Sequence, residues 1–325
     1  MQILALGTVV EITTPGAGDR LQTVAPTLRQ QLDDWGTQMY AYGDGELAQA
    51  NAAFARAQCT SVSTRLAGLI RDAQRYERLH PGLFNAGLAD LTRLWQLHEA
   101  GNDAQSDWQP PPKAGVLVQL ESAPRALNLK LNHDQACPEG AVALDAGAFA
   151  KGRIIDELLD TLAGANIHNA IVNVGGDLKA RGQGRGRAWR VAIRDPQGGA
   201  LAGIELKDGE AVFTSGNYER FRDYQGRRYG HILDPVSGTP LTSIASVTVF
   251  GRHAADTDAA ATALYVAASR ARASHPKLTT LAPVENANHY VIVDTDGVVF
   301  VSKGLRERLQ FQRPKTTQVH THPAP

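Results

Sequence analysis

The chain has no excess charge of either sign: 33 Lys and Arg balance 33 Asp and Glu over 325 residues. Without a surplus of positive charge there is no global attraction toward nucleic acid or anionic lipid, so nucleic-acid binding is not expected. No stretch approaches the roughly 18 consecutive apolar residues of a membrane span. There are only two cysteines, Cys59 and Cys137, in neither a C-x-x-C pair nor a zinc spacing, which excludes a metal cluster. A disulfide between them stays open, with two buried thiols the favoured expectation. The G-x-G-x-x-G spacing of a dinucleotide fold is missing, and so is any fixed-period repeat. The N-terminus, MQILALGTVVEIT, is short and lacks a basic leader, so it reads as a first strand rather than a signal peptide. The compartment stays open between the cytoplasm and export with a leader removed.

What is present suits a globular protein with a real core: 43% of residues are apolar and 20% charged. Leu4–Thr13 alternates and is rich in β-branched residues, as a strand would be. Arg20–Met39, Glu46–Glu77 and Leu88–Glu99 have helical composition, with His80-Pro81-Gly82 as a break. Residues 101–113 form a polar, Pro-rich segment expected to be a surface loop. Beyond Ala114 the texture turns strand-like at Gly115–Gln119, Leu127–Leu131, Ala170–Val174, Trp189–Ile193, Ala211–Thr214, Ile244–Phe250 and Tyr290–Val301, the last containing the hairpin turn Asp294–Gly297. Helices are expected at Ala150–Ala163 and Ala254–Ala271. Strands that mostly follow strands favour an α+β fold over a regular βαβ array. Residues 1–310 are expected to form one domain, which could divide into lobes of about 1–112 and 113–310, and 311–325 a disordered tail.

Four segments could carry chemistry. In Leu144–Gly152 (LDAGAFAKG) a small-residue turn opens a helix, which brings backbone N–H groups and Lys151 to an anion-attracting end. Alone it reads as a tight turn with a solvated lysine. Asn173–Leu178 (NVGGDL) contains a glycine pair that suits positive φ or a close backbone approach, and a structural turn is the plainer explanation. Thr214–Phe221 (TSGNYERF) is followed by Tyr229–Pro240 (YGHILDPVSGTP), where His231 precedes a turn and would ordinarily be a core histidine. In Asp256–Ala268 (DTDAAATALYVAA), Asp258 and Thr262 lie four residues apart, so on a helix their oxygens share one face. That pair suits a hard cation such as Mg²⁺; the plain alternative is an acid at a helix start and a threonine bonded to the preceding turn.

In this order the segments resemble the ApbE family of FAD:protein FMN transferases, whose pattern runs D-x-G-G-x-A-K-G, V-N-x-G-G-D, T-S-G-x-Y-E-R, H-I-x-D-P-x-T-G and D-x-x-x-T-A-L. Asp145–Gly152, Val172–Asp177, Thr214–Arg220, His231–Gly238 and Asp258–Leu264 supply the five matches. The first half is similar more loosely: Leu6-Gly7-Thr8, Tyr42 with Glu46, Leu47 and Asn51, and Leu83-Phe84-Asn85 with Leu94-Trp95. The resemblance implies mixed sheets with packed helices, and an FAD and Mg²⁺ site in a cleft between two lobes. It implies FAD contacts at Leu6, Tyr42, Leu83, Phe84, Asn85, Asp145, Lys151 and Ile232. For Mg²⁺ it implies the Ala148 carbonyl, Asp258 and Thr262, with Ala261 beside them, and for catalysis His231. Leu6 stands where the family has methionine and Asn85 where it has aspartate, and Ala146 and Ala148 alter the small-residue turn. The implied reaction moves FMN from FAD to a Thr or Ser of an acceptor flavoprotein and releases AMP. An FAD diphosphatase or a non-catalytic FAD carrier are the alternatives.

Overall fold

The computed structural model describes residues 1–99, 107–121, 125–218, 220–274, 278, 281–312 and 319–322. The first apolar run is not one strand but two: β1 (Gln2–Ala5) and β2 (Thr8–Thr13). They pair antiparallel around Leu6 and Gly7, both at positive φ (56° and 70°). A two-residue hairpin turn with both central residues left-handed matches the strand twist, which explains the fold-back despite the non-glycine Leu6. Helix α1 (Gly18–Gln38) follows, and then α2 (Glu46–Phe54). The long helical run expected to Glu77 is interrupted by a short strand, β3 (Thr60–Ser61), before α3 (Thr64–Leu79), which Ser63 caps by accepting a hydrogen bond from Leu66 N. Helix α4 (Ala89–Leu94) is shorter than its composition suggests.

Gly115–Gln119, expected as a strand, lies inside helix α5 (Lys113–Glu121). Pro110–Pro112 precedes it, and the Pro112 carbonyl accepts from Gly115 N and Val116 N, so the prolines start a helix that a short apolar run alone could not distinguish from a strand. The adjoining segment is not wholly a surface loop either: Trp108 is buried against Trp95 and Tyr229. Residues 101–106 lie outside the described residues. Strands β4 (Leu129–Asn132) and β5 (Gln135–Pro138) form a three-stranded sheet with β3, in the order β3-β5-β4. Pairing of Thr60 with Ala136 brings Cys59 to Cys137, Cα–Cα 4.1 Å, and the two form a disulfide rather than the expected free thiols. Sequence separation of 78 residues hid that neighbourhood.

The second half supplies α6 (Ala150–Gly164), β6 (Ala170–Val174), β7 (Asp177–Arg181), β8 (Arg190–Arg194), β9 (Ala200–Glu205) and β10 (Ala211–Gly216). The hairpin β11 (Phe221–Tyr224) and β12 (Arg227–Gly230) precedes β13 (Ile244–Gly251) and α7 (Ala254–Ser274). The chain continues through β14 (His289–Asp294), β15 (Val299–Ser302), α8 (Lys303–Arg306), β16 (Gln310–Phe311) and β17 (Val319–His322). The expected disordered tail is therefore ordered in part. Val319–His322 pairs in parallel with Val299–Ser302 and His322 is buried, its imidazole bonded to Tyr290 Oη and the Leu278 carbonyl.

A nine-stranded sheet, β1-β2-β6-β7-β10-β13-β14-β15-β17, divides the molecule into layers and bears out the α+β expectation. Period-two alternation assigns side chains to its faces. On β14, Tyr290 and Ile292 join the principal core under α1, α3, α6 and α7, while Val291 and Val293 face a second core beneath the sheet β16-β9-β8. Helix α7 is alanine-rich and buried on nearly every side, as a helix enclosed between a sheet and another helix must be. A third cluster, Leu91, Trp95, Trp108 and Leu233 with Tyr229 packed on it, ties α4 and α5 to the β11–β12 hairpin. Among the described residues no helix is long and apolar enough to cross a membrane.

Candidate functional site

The segment that opens α6 is held from three directions. Asn51 brackets Leu144, donating to its carbonyl and accepting from its N–H, both at 2.8 Å. Asp145 N donates to the Ala86 carbonyl at 2.8 Å, which sets this segment beside Leu83–Asn85. The Asp145 carboxylate then accepts from Gly147 N (2.8 Å) and Tyr42 Oη (2.7 Å). Burial raises the Tyr42 hydroxyl well above its ordinary range and Asp145 adds to the effect, so Tyr42 remains a proton donor. Tyr42 also lies against the His98 ring, centroids 4.5 Å apart. Phe84 is buried edge-to-face with Tyr76 and Phe149, and Asn85 accepts from Gly87 N. Beside Phe84 and Asn85 opens a pocket of about 250 Å³ that Glu77, Arg125 and Val236 also line.

Helix α6 meets α7 at very short range. A Cβ on Gly152 would lie 2.4 Å from the Ala254 carbonyl oxygen and 2.6 Å from Ala255 Cα, so only glycine fits there. That approach lets Gly152 N donate to Asp258 Oδ2 at 2.9 Å and seats the carboxylate, 5% exposed, at the helix start. One turn further along α7, Thr262 Oγ1 lies 3.3 Å from the Ala148 carbonyl oxygen and 3.4 Å from Ser215 Oγ at the end of β10. Ala261 is buried between them and the core. Lys151 forms an ion pair with Asp177, which also accepts from Thr214 N at 2.7 Å. Asp177 is placed by the turn Gly175-Gly176, both at positive φ (65° and 106°), which joins β6 to β7. The glycine pair of NVGGDL is therefore a turn, and its task is to deliver the carboxylate that follows.

His231 stands just after β12, and its N–H donates to the Arg220 carbonyl at 3.0 Å. Its Nδ1 lies 3.2 Å from the same oxygen. A carbonyl can only accept, so Nδ1 carries the ring proton and Nε2 keeps its lone pair. Desolvation pushes the imidazole pKa down, to about 3, and the nearby charges of Arg220 and Lys151 lower it further. The ring is thus neutral at ordinary pH, a proton acceptor rather than a cation.

Tyr42 bonds Asp145, whose N–H reaches Ala86 next to Leu83–Asn85, while Thr262 lies against Ala148 and Asp258 bonds Gly152 beside Lys151. Leu6, at its hairpin turn, and Ile232, 8% exposed, are joined to them through apolar packing in the principal core. Asp177, Ser215, Arg220 and Gly152 were not singled out from the sequence, although each lies inside a quoted motif. The carboxylate directly after a Gly-Gly turn was the legible signal for Asp177.

A divalent oxygen-seeking cation fits the donors present. The 3.3 Å between the Ala148 and Thr262 oxygens is close to the ~2.9 Å edge of an octahedron with metal–oxygen distances of about 2.0–2.1 Å. Among the described residues no three His, Cys, Asp or Glu side chains are grouped to hold a metal, so a site here depends on carbonyl and hydroxyl oxygens beside the one carboxylate.

The family model for the ApbE family matches residues 6–279. The chain belongs to the ApbE family. It is 33% identical over 316 residues to the FAD:protein FMN transferase of Rhodobacter capsulatus, covering 94% of this chain and 57% of that protein. It is 32% identical over 243 residues to the FAD:protein FMN transferase of Treponema pallidum, covering 69% of this chain and 65% of that one. The chain thus spans less than two thirds of the length of either relative. Among solved structures it is similar to the ApbE protein of Thermotoga maritima, with TM-score 0.82, 25% identity and coverage of 97% of this chain and 99% of that one. The flavin transferase ApbE of Vibrio cholerae superposes with TM-score 0.74 at 25% identity, covering 95% and 98%. In this ApbE-family chain the five sequence segments fall on the α6 opening, the β6–β7 turn, the end of β10, the β12 exit and the start of α7.

Proposed function

We propose that this ApbE-family chain is a Mg²⁺-dependent FAD:protein FMN transferase that attaches FMN to a Thr or Ser of an acceptor protein and releases AMP. The observation that carries the reading is the meeting of Ala148, Lys151, Asp258 and Thr262 where α6 and α7 begin, with the neutral His231 within reach of the Lys151 charge. Asp145, Tyr42 and Leu83–Asn85 would hold FAD beside it. Ala148, Asp258 and Thr262 would hold Mg²⁺, which when bound neutralises charge on phosphoryl oxygens.

The acceptor hydroxyl forms a new O–P bond at the FMN phosphorus, and the bond from that phosphorus to the bridging oxygen breaks. The electron pair leaves with AMP. His231 Nε2 takes the hydroxyl proton, a role of the kind that contributes about 10²–10⁴-fold. Lys151 offsets phosphate charge at the start of α6, and Asp177 keeps the ammonium in place.

Incubation with FAD, Mg²⁺ and candidate acceptor proteins, followed by intact-mass measurement, tests the reading. A gain equal to an FMN phosphoester together with free AMP is expected. AMP without any mass gain would make the chain an FAD diphosphatase, and bound FAD with no AMP would make it a carrier.

A further inference from the structure

The register of the β11–β12 hairpin pairs Phe221 with Gly230 as its outermost pair. The hydrogen bond from His231 N to the Arg220 carbonyl extends that ladder by one step. Arg220 and His231 are therefore cross-strand neighbours, and residues directly opposite in an antiparallel pair project from the same face. Because Nδ1 of His231 is turned to the Arg220 carbonyl, Nε2, across the ring, points away from that oxygen. Arg220 is exposed, and among the described residues no carboxylate pairs with its guanidinium. Lys151, by contrast, is already engaged by Asp177. Arg220 is therefore a second cation beside the base, and its planar fork of N–H donors matches phosphoryl oxygens.

We propose that Arg220 binds the FMN phosphoryl group as it passes from FAD to the acceptor, a role that rests on the transferase reading above. The in-line geometry of phosphoryl transfer chooses between the two phosphates of FAD. Entering and leaving oxygens lie on opposite sides of the reacting phosphorus, and the base sits with the entering hydroxyl. A guanidinium on the base's own face meets the equatorial oxygens of the FMN phosphorus, with AMP departing on the far side. The bonds made and broken are those already given; Arg220 keeps its protons and donates hydrogen bonds only.

Fluorescence titrations of riboflavin, FMN and FAD, with calorimetric titrations of adenosine and AMP, on wild type, Arg220→Lys and Arg220→Gln test the assignment. Riboflavin and adenosine lack the phosphate of FMN and AMP, so each ratio isolates one phosphate contact. Wild type should bind FMN at least about tenfold more tightly than riboflavin. Arg220→Gln should lower that ratio by about ten- to a hundredfold, as expected for charge-assisted hydrogen bonds, and Arg220→Lys should restore part of it. The AMP-to-adenosine ratio should not move. Both variants should melt within about 2 °C of wild type, since the side chain is exposed. A wild type that binds FAD but has an FMN-to-riboflavin ratio near one overturns the assignment alone. So does a ratio that Arg220→Gln leaves unchanged, or a loss confined to AMP. A wild type that binds none of the three flavins overturns the transferase reading as well.

Discussion

Replacing Gly152 by alanine should cost stability and activity together, because one hydrogen-bonded contact sets both. A helix interior ordinarily gains up to about 1 kcal/mol from that exchange. Here the added carbon would stand 2.4 Å from the Ala254 carbonyl oxygen and 2.5 Å from its carbon, both backbone atoms that no rotamer change can remove. Relief requires α6 and α7 to separate by about 1 Å, and overpacking of this kind costs about 1–3 kcal/mol. Separation also stretches the 2.9 Å bond from Gly152 N to the buried Asp258 carboxylate, of the class worth about 1.5–3 kcal/mol. The net loss is about 1.5–5 kcal/mol after the propensity gain is subtracted. With roughly 2 cal/mol/K of unfolding entropy per residue, that lowers Tm by about 2–8 °C. Flavinylation, measured at a temperature where the variant is folded, should fall by about a hundredfold, since the Ala148 carbonyl would move away from Thr262. Gly68→Ala is the control. Its Cβ would meet only the end of the Arg153 side chain, at 2.7 Å, and that arginine can swing away. Gly152→Ala melting with wild type, or Gly68→Ala losing as much, would refute the reasoning.

Asp258→Ala should abolish the response of turnover to Mg²⁺ titration while FAD remains bound, as equilibrium dialysis would show. His231→Gln should lower single-turnover transfer by about 10²–10⁴-fold, with little change in FAD affinity. Since burial and the neighbouring cations lower the His231 pKa, the unfolded chain takes up that proton first as pH falls. Its contribution to stability is therefore intact above about pH 6.5 and is lost as pH falls from there toward about 3, and thermal melts of His231→Gln across that window should show a shallower acid slope. Reduction of the Cys59–Cys137 bond releases a loop closed over 78 residues. Chain entropy sets the loss at up to about 4.5 kcal/mol, read as a Tm drop of up to about 7 °C between oxidised and reduced protein.

Much of the sheet was legible because its strands carry their own pattern. Ala170–Val174 and Ile244–Phe250 are apolar runs of strand length with β-branched residues, and they form strands where expected. Failures fell where a local run suited two structures. Gly115–Gln119 has the composition of a strand, yet three prolines just upstream and a cluster of tryptophans make it helical. The tail and the disulfide failed for another reason. Val319–His322 becomes a strand only because Val299–Ser302 offers an edge, and Cys59 meets Cys137 only because β3 pairs with β5.

The candidate site divides along the same line. Which residue types were available, and that Asp258 and Thr262 would share one helix face, followed from the sequence, because helical periodicity acts within a few residues. That Thr262 lies against the Ala148 carbonyl, that Asp177 engages Lys151, and that Arg220 stands opposite His231 were decided only by tertiary structure. Those contacts join residues 11 to 114 apart in sequence, and their partners are chosen by strand register and by the close approach of two helices at Gly152, quantities that no local pattern encodes.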